Sequence, residues 1–375
     1  MGADSSLFGG VLARGEVAAA VADDAWLTAM LQVEAALAEV QAFTGLLDQD
    51  AADAIGLACA SPRSFSVAAI GAAAAQSGDP VVPLVRALRA AVPEPAAQAV
   101  HRGASSQDVL DTAGMLVAAR ALRPLLADLR AAADLTARLA REHRETVMIG
   151  RAGLQRAAPT TFGLKAAGWL GGLDAARRRL DQVRAERLAV QFGGAAGTLA
   201  PFGDAGPDVV EGLATLLGLS EPAMPWHTER TRIADLAGAL GAAAGAVAKV
   251  ARDLTLLAQP EVDEVSTGSP AAVCALGCAA AAPGLVANLL AAMVHEHEQA
   301  AGAWHAEWRP LRELLVATGS AVSWLRAALE GLLVHPDVMR ANLAKSGIGG
   351  DLSAAGLLVD RALDAYGMKR AAAAT

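Results

Sequence analysis

Apolar positions recur along this chain every three to four residues, in runs too long for strands. The first runs are Val17 to Val21 and Ala25-Trp26-Leu27 through Ala42, the second carrying Glu34 and Glu39 within its apolar rhythm. Gln76-Ser77-Gly78-Asp79-Pro80 is a turn, Val81 to Val92 a short helix, and Pro93 and Pro95 close this region. From Ser105 the pattern changes. Ser106 is placed to cap a helix through Asp108, Leu110, Met115 and Leu122, which Pro124 interrupts and which resumes to about His143. Long helices are also predicted over Thr160 to Leu188, with Arg177, Arg178 and Arg179 on its solvated side, and over Arg230 to Leu257, with a small-residue face of Gly238, Gly241 and Gly245. Two more cover Val273 to Met293 and Leu311 to Leu333. Lys345 to Asp351 is a Gly-containing linker before a short terminal helix and an Ala tail. Periodic segments of this length without strand signals predict an all-α long-helix bundle, and no internal repeat is visible.

Composition strengthens that reading. The chain is 54% hydrophobic but only 3% aromatic, and alanine, the best helix former, is everywhere. Net charge is −8 and no basic run or basic–aromatic stripe exists, which excludes a nucleic-acid surface. An anionic substrate would need a local cluster of Arg and His working against the global field. Cys59, Cys274 and Cys278 form an odd, low count, and no signal-peptide pattern opens the chain, which together predict a cytoplasmic protein. Cys274 and Cys278 sit one helical turn apart, either as a metal or redox pair or as two small core residues. Ala271 to Val294 carries no charge and is long enough to span a bilayer. Pro283-Gly284 interrupts it and His295-Glu296-His297-Glu298 follows directly, so a buried central helix pair is expected and no membrane partner. Met1-Gly2 with Ser6 fits a myristoylation pattern, which is short and carries weight only in the right host.

Candidate chemistry lies at turns and helix starts. His101-Arg102-Gly103-Ala104-Ser105-Ser106-Gln107-Asp108 puts a glycine and two hydroxyls at a helix N-terminus, where free backbone N–H groups and the positive dipole end attract anions. An ordinary N-cap beside a histidine is the alternative. In Gly150 to Thr160, a loop feeding a helix, Arg151 and Gln155 are candidate carboxylate binders; the alternative is a solvated turn. The glycines of Gln191-Phe192-Gly193-Gly194-Ala195-Ala196-Gly197-Thr198 could cradle an anion, without a dinucleotide or Walker signature. Pro225-Trp226-His227-Thr228-Glu229-Arg230 precedes a long helix, with His227, near Arg230 and Arg232, as an acid/base or substrate-binding group; a structural histidine is the alternative. His295 and His297 lie on different faces of an expected helix, so shared metal ligation is not expected; surface ion pairing is, with Trp304 and Trp308 anchoring one turn apart.

Together these segments resemble the fumarase/aspartase superfamily. GASSQD is similar to its first signature and LQRAAPTTFG to its second. QFGGAAGTL, PWHTERTR and HEHEQAAGAWHAEW resemble the 3-carboxy-cis,cis-muconate cycloisomerase branch, in the right order from Leu7 to about Leu343. The resemblance implies three helical domains: an N-terminal one over 1–104, a central long-helix bundle over 105–340, and a C-terminal one of which 341–375 is a remnant. It implies a homotetramer whose central helices form a common core, with active sites assembled from three subunits. It implies neither cofactor nor metal, and a small polycarboxylate substrate. The implied reaction is intramolecular addition of a carboxylate across a double bond, giving 4-carboxymuconolactone in the protocatechuate branch of the β-ketoadipate pathway. His227, Ser106 and Ser269 carry over as catalytic residues; His101, Arg102, Ser105, Gln155, Arg151, Thr228 and Arg230 carry over as substrate binders.

The sequence departs from the family pattern in places. Ser105 stands where threonine is usual, and Ala152 and Arg156 where threonine and histidine or glutamine are common. Members carry a Gly-Ser-Ser loop continuing into Met-Pro-His-Lys-Arg-Asn-Pro; its serine transfers the proton, and its lysine and asparagine hold a carboxylate. Here Gly268-Ser269 is followed at once by Pro270. Two alternatives therefore accompany the cycloisomerase reading: a fumarate-releasing lyase of adenylosuccinate or argininosuccinate type, and a catalytically dead structural homologue.

Overall fold

A computed structural model describes residues 7–374; the Met1-Gly2-Ser6 pattern lies outside them. Helices α1 (Gly9–Leu12), α2 (Glu16–Ala20), α3 (Asp23–Phe43), α4 (Gln49–Cys59), α5 (Val67–Ser77), α6 (Val81–Ala90) and α7 (Glu94–Ala97) form the first region. The long bundle follows: α8 (Ser106–Glu142), α9 (Phe162–Glu186), α11 (Thr231–Leu257) and α14 (Ala303–Glu330), with α10 (Gly206–Leu217), α12 (Ala271–Ala279) and α13 (Ala282–Ala291) between them. Helices α15 (Pro336–Ser346) and α16 (Ala355–Ala374) end the chain. The fold is all-α, as the periodicity predicts. One core joins α3, α8, α9, α11, α12 and α14, and a smaller one packs α3 and α10 under Val190, Phe192 and Phe202.

Several elements differ from the sequence reading. Helix α8 runs unbroken for 37 residues with Pro124 inside it. Proline removes one backbone hydrogen bond, but Leu122, Leu125, Leu126 and Leu129 are all buried on either side and hold the helix. Its N-cap is Ser105, not Ser106, because Ser105 and Asp108 close a reciprocal capping box. The expected loop at Gly150–Thr160 is instead an antiparallel hairpin, β1 (Val147–Ala152) on β2 (Gln155–Thr161). Gly153 and Leu154, both with φ near +60°, make its two-residue turn. A Cβ at Gly150 would sit 2.5 Å from the Ala158 carbonyl oxygen, so only glycine fits that bulge. Arg177 is not solvated: it is buried between Asp174 at 2.8 Å and Asp181 at 2.6 Å, one turn to either side. The stretch expected to be one helix over Val273 to Met293 is two, because Pro283 must lie in the first turn of α13, where its missing N–H costs nothing. His295 to Glu298 is not helical, and His297 has φ +50°.

Two spans, Thr231–Leu257 and Ala271–Ala291, are long and apolar enough by length and composition alone to cross a membrane. Half of the first is buried in the bundle but only 28% of the second, so the expected burial of that pair is not achieved within the single chain. Val273 and Leu290 lie on its exposed side. All three cysteines are free; Cys59 and Cys278 are buried in the core.

The antiparallel helices carry the chain from one end of the bundle to the other. The residues preceding α8, α11 and α14 gather at one end. The β1–β2 hairpin and the two-residue ladder β3 (Val265–Ser266) on β4 (Leu333–Val334) lie at the other. At 1.5 Å per residue, α8 spans about 55 Å and α11 about 40 Å.

Candidate active site

The first end is organised around Asp108, which has no exposed surface. Its Oδ2 accepts from the Ser105 backbone N–H at 2.8 Å, the Ser105 hydroxyl at 2.9 Å and the Gly194 N–H at 2.9 Å. Its Oδ1 accepts from the Gly193 N–H at 2.9 Å, Gln191 Nε2 at 3.1 Å and His227 Nε2 at 2.8 Å. The glycine segment expected to cradle an anion does so, and the anion is the chain's own carboxylate. Gln191 is locked in turn: its Oε1 accepts from the Trp226 N–H at 2.6 Å, and its backbone exchanges hydrogen bonds with the Thr112 hydroxyl.

One turn further along α8, Asp111 accepts from Gln107, from Trp304 Nε1 at 3.0 Å, and from both terminal nitrogens of Arg230. The other edge of Arg230 meets Glu307. This guanidinium is only 1% exposed. Burial opposes its charge, but the two carboxylates outweigh that effect and hold its pKa above the ordinary value. A buried cation paired on both edges is a structural keystone, because removing it strands two carboxylates. His295 Nε2 lies 3.3 Å from Glu307, which draws the HEHE segment against this cluster. Trp304 and Trp308 stack edge to face at 4.9 Å.

Toward solvent the same end presents His101, Arg102, Ser106 and Thr228. His101 sits on a left-handed residue, φ +63°, and its Nδ1 is 2.6 Å from Glu34 Oε1. Burial lowers the histidine pKa, but the Glu34 hydrogen bond and charge, aided by Asp108, outweigh it, and the net shift is upward. Arg102 donates to the Leu46 carbonyl from an exposed position. Because Ser105 performs the capping, Ser106 at the first helical position keeps its hydroxyl for other work.

The remaining sequence candidates lie at the opposite end. Arg151 forms a two-pronged pair with Glu264, at 2.8 and 2.9 Å. Glu264 also accepts from Asn342. Gln155 is exposed on β2. Thr267 to Pro270 connects β3 directly to α12, and Ser269 Oγ accepts from the Ala271 N–H at 3.4 Å. The chain therefore brings together His101, Arg102, Ser105, Ser106, His227, Thr228 and Arg230, and holds Arg151, Gln155 and Ser269 a bundle length away. Sequence reasoning assigned no role to Glu34, Asp108, Asp111 or Glu307. The one available signal was charge inside apolar helical runs, clearest for Glu34.

A family profile described as lyase matches residues 14–273. The chain belongs to this lyase family, within the fumarase/aspartase superfamily. It is 45% identical over 358 residues to 3-carboxy-cis,cis-muconate cycloisomerase of Bradyrhizobium diazoefficiens, covering 90% of this chain and 79% of the relative. It is 43% identical over 371 residues to nitrosuccinate lyase of Streptomyces davaonensis, covering 92% and 78%. Among solved structures, the cycloisomerase of Acinetobacter calcoaceticus superposes with a TM-score of 0.88 at 36% identity, covering 91% of this chain and 81% of that one. The buried network fixes the GASSQD, QFGG and PWHTER segments at one bundle end, while LQRAAPTTFG lies at the other.

Proposed function

We propose that this protein is a cofactor-independent cycloisomerase that lactonises 3-carboxy-cis,cis-muconate to 4-carboxymuconolactone. The observation that carries the reading is the agreement of several relatives of that activity, 45%, 39% and 35% identical, each over about nine-tenths of the chain. In the reaction a substrate carboxylate oxygen forms a C–O bond to an alkene carbon. The π electrons shift toward the neighbouring carboxylate, and a proton is added to the adjacent carbon. Fixed donors must stabilise the enediolate-like state. The α8 N-terminus, Ser106, His101, Arg102 and Thr228 suit that task at one bundle end. His227, Ser105 and Arg230 hold its shape from below, and Arg151, Gln155 and Ser269 contribute at the other end of a second and third copy.

This division of labour rests on a homotetramer. The separation of the two residue groups by some 40–55 Å of helix supports composite sites, and the exposed apolar α12–α13 side supports burial by further copies. The domain division at 104 and 340 and a cytoplasmic location belong to the same proposal; free thiols fit a reducing compartment. Sedimentation as a monomer at micromolar concentration would count against the tetramer.

A second reading, release of a leaving group from a nitrosuccinate-like substrate, is favoured by the 43% identical relative. Both substrates are polyanionic, and the arrangement stabilises carboxylate-flanked negative charge in either case. The deciding experiment mixes the protein separately with 3-carboxymuconate and nitrosuccinate and follows loss of diene absorbance or release of nitrite. Diene loss without added metal is expected. Nitrite release alone would transfer the assignment to the second reading, and silence in both assays would leave a structural homologue lacking the Ser-Ser loop.

A further inference from the structure

Glu34 is 1% exposed on the inner face of α3, among buried Leu31, Val33, Leu37 and Ala38. A carboxylate in such surroundings is costly unless a charge or several donors meet it. Its one hydrogen-bond partner among the described residues is His101 Nδ1; its second oxygen is buried without one. The neighbouring Cys59 offers no positive charge in any state; burial and the Glu34 charge push its thiol up to about 12, so it stays neutral. Among the described residues, the one group in hydrogen-bond reach that can carry a compensating charge is His101.

The backbone around the histidine is fixed independently. Gln41, two turns along α3 from Glu34, donates to the Arg102 carbonyl at 3.1 Å. Arg89 on α6 donates to the Val100 carbonyl at 3.1 Å. His101 itself is held in the left-handed region, which non-glycine residues enter only when their surroundings dictate it. The charged groups facing the ring are Glu34 from α3, Asp108 from α8 and Arg89 from α6; the first two favour the imidazolium and the third opposes it.

We propose that Glu34 is a positioning residue: by accepting a hydrogen bond from the Nδ1–H of His101 it holds the ring as an imidazolium whose Nε2–H, on the opposite edge, is a ready donor to a substrate carboxylate beside the α8 N-terminus. The proposal rests on the carboxylate-binding reading of His101, but its first test does not. No bond is made or broken; the pair supplies a held cation where the global charge of −8 would otherwise repel a polyanion.

The experiment follows the His101 ring by NMR in 13C-histidine-labelled protein, assigned with His101→Gln, and measures tricarballylate binding by calorimetry from pH 6 to 8.5. In Glu34→Gln the His101 pKa should fall by about one unit or more, the usual effect of losing an adjacent opposite charge. Tricarballylate affinity at pH 8 should drop about tenfold and recover at pH 6. Glu34→Asp, which keeps the charge, should retain a raised pKa; it also serves if the glutamine variant fails to fold, as judged by circular dichroism. An unchanged His101 pKa in folded Glu34→Gln overturns the proposal. A shifted pKa with no tricarballylate binding by the wild type keeps the Glu34–His101 coupling but overturns the carboxylate role, and with it the site assigned above.

Discussion

Replacing Asp108 with asparagine isolates the physics of the buried hub. The side chain keeps its size, but one oxygen becomes an NH2 group that must face three donors in either orientation. Turned toward Ser105 and Gly194, it confronts two backbone N–H groups and a hydroxyl; only the hydroxyl can rotate away. Turned toward Gln191, Gly193 and His227, it can be accommodated by one partner, because His227 can move its proton to Nδ1 and accept. Gln191 cannot flip without abandoning the Trp226 N–H. Either orientation therefore orphans two donors, each costing about 1–3 kcal/mol where buried. The remaining bonds also lose their charge assistance. A destabilisation of about 4 kcal/mol is expected, against about 1–2 kcal/mol for Ser105→Ala, which removes the cap and one hydrogen bond to Asp108 but orphans no buried backbone donor of the glycine segment. Urea unfolding followed by circular dichroism and tryptophan fluorescence measures both, at matched protein concentration because association contributes to stability. An Asp108→Asn protein within about 1 kcal/mol of wild type would refute the claim that these six contacts are simultaneous and obligatory.

Arg230→Met should destabilise by about 3–5 kcal/mol by stranding Asp111 and Glu307; the same unfolding assay reads it, and adding Asp111→Asn to the variant should recover part of the loss. Gly163→Ala should cost about 1–3 kcal/mol or more, because the new Cβ would meet the His143 and Ala140 carbonyl oxygens at 2.6 and 2.7 Å. Gly168→Ala in the same helix meets nothing within 4 Å and should gain about 0.5–1 kcal/mol; equal melting shifts for the two would show that helix propensity outweighs packing here. The Glu34–His101 pair should make stability pH-dependent with a definite sign. The histidine pKa is raised in the folded state, so its contribution is fully present below the ordinary value of about 6.5 and is lost as pH rises through the folded value. Wild type and Glu34→Gln should accordingly differ most at pH 6 and converge in alkaline solution, as thermal melts across that range would report.

Local pattern carried the fold class. Apolar residues at helical spacing, abundant alanine and scarce β-branched or aromatic residues leave no competing architecture, and the starts of α8, α9 and α11 fall within two residues of their expected places. Pattern also flagged the signature segments, because glycines, hydroxyls and histidines gather there at turns and helix starts, although Ser105, Gly193, Gly194 and His227 turn out to serve the buried network. What periodicity could not weigh was packing. It broke α8 at Pro124, whereas burial on both flanks carries the helix through, and it missed the hairpin because a Gly-Leu turn is a weak signal for two positive φ values. The same limit applied to the site. His227 and Arg230 read as groups for a substrate and the glycine segment as a cradle for an anion, and only the tertiary structure brings Asp108, Asp111 and Glu307 to meet them. Those carboxylates are distant in sequence from their partners, 119 residues in the case of Asp108 and His227. A charge at one position carries no mark of what a distant helix will place against it; that is decided when the bundle closes and each buried ion must find its counterpart.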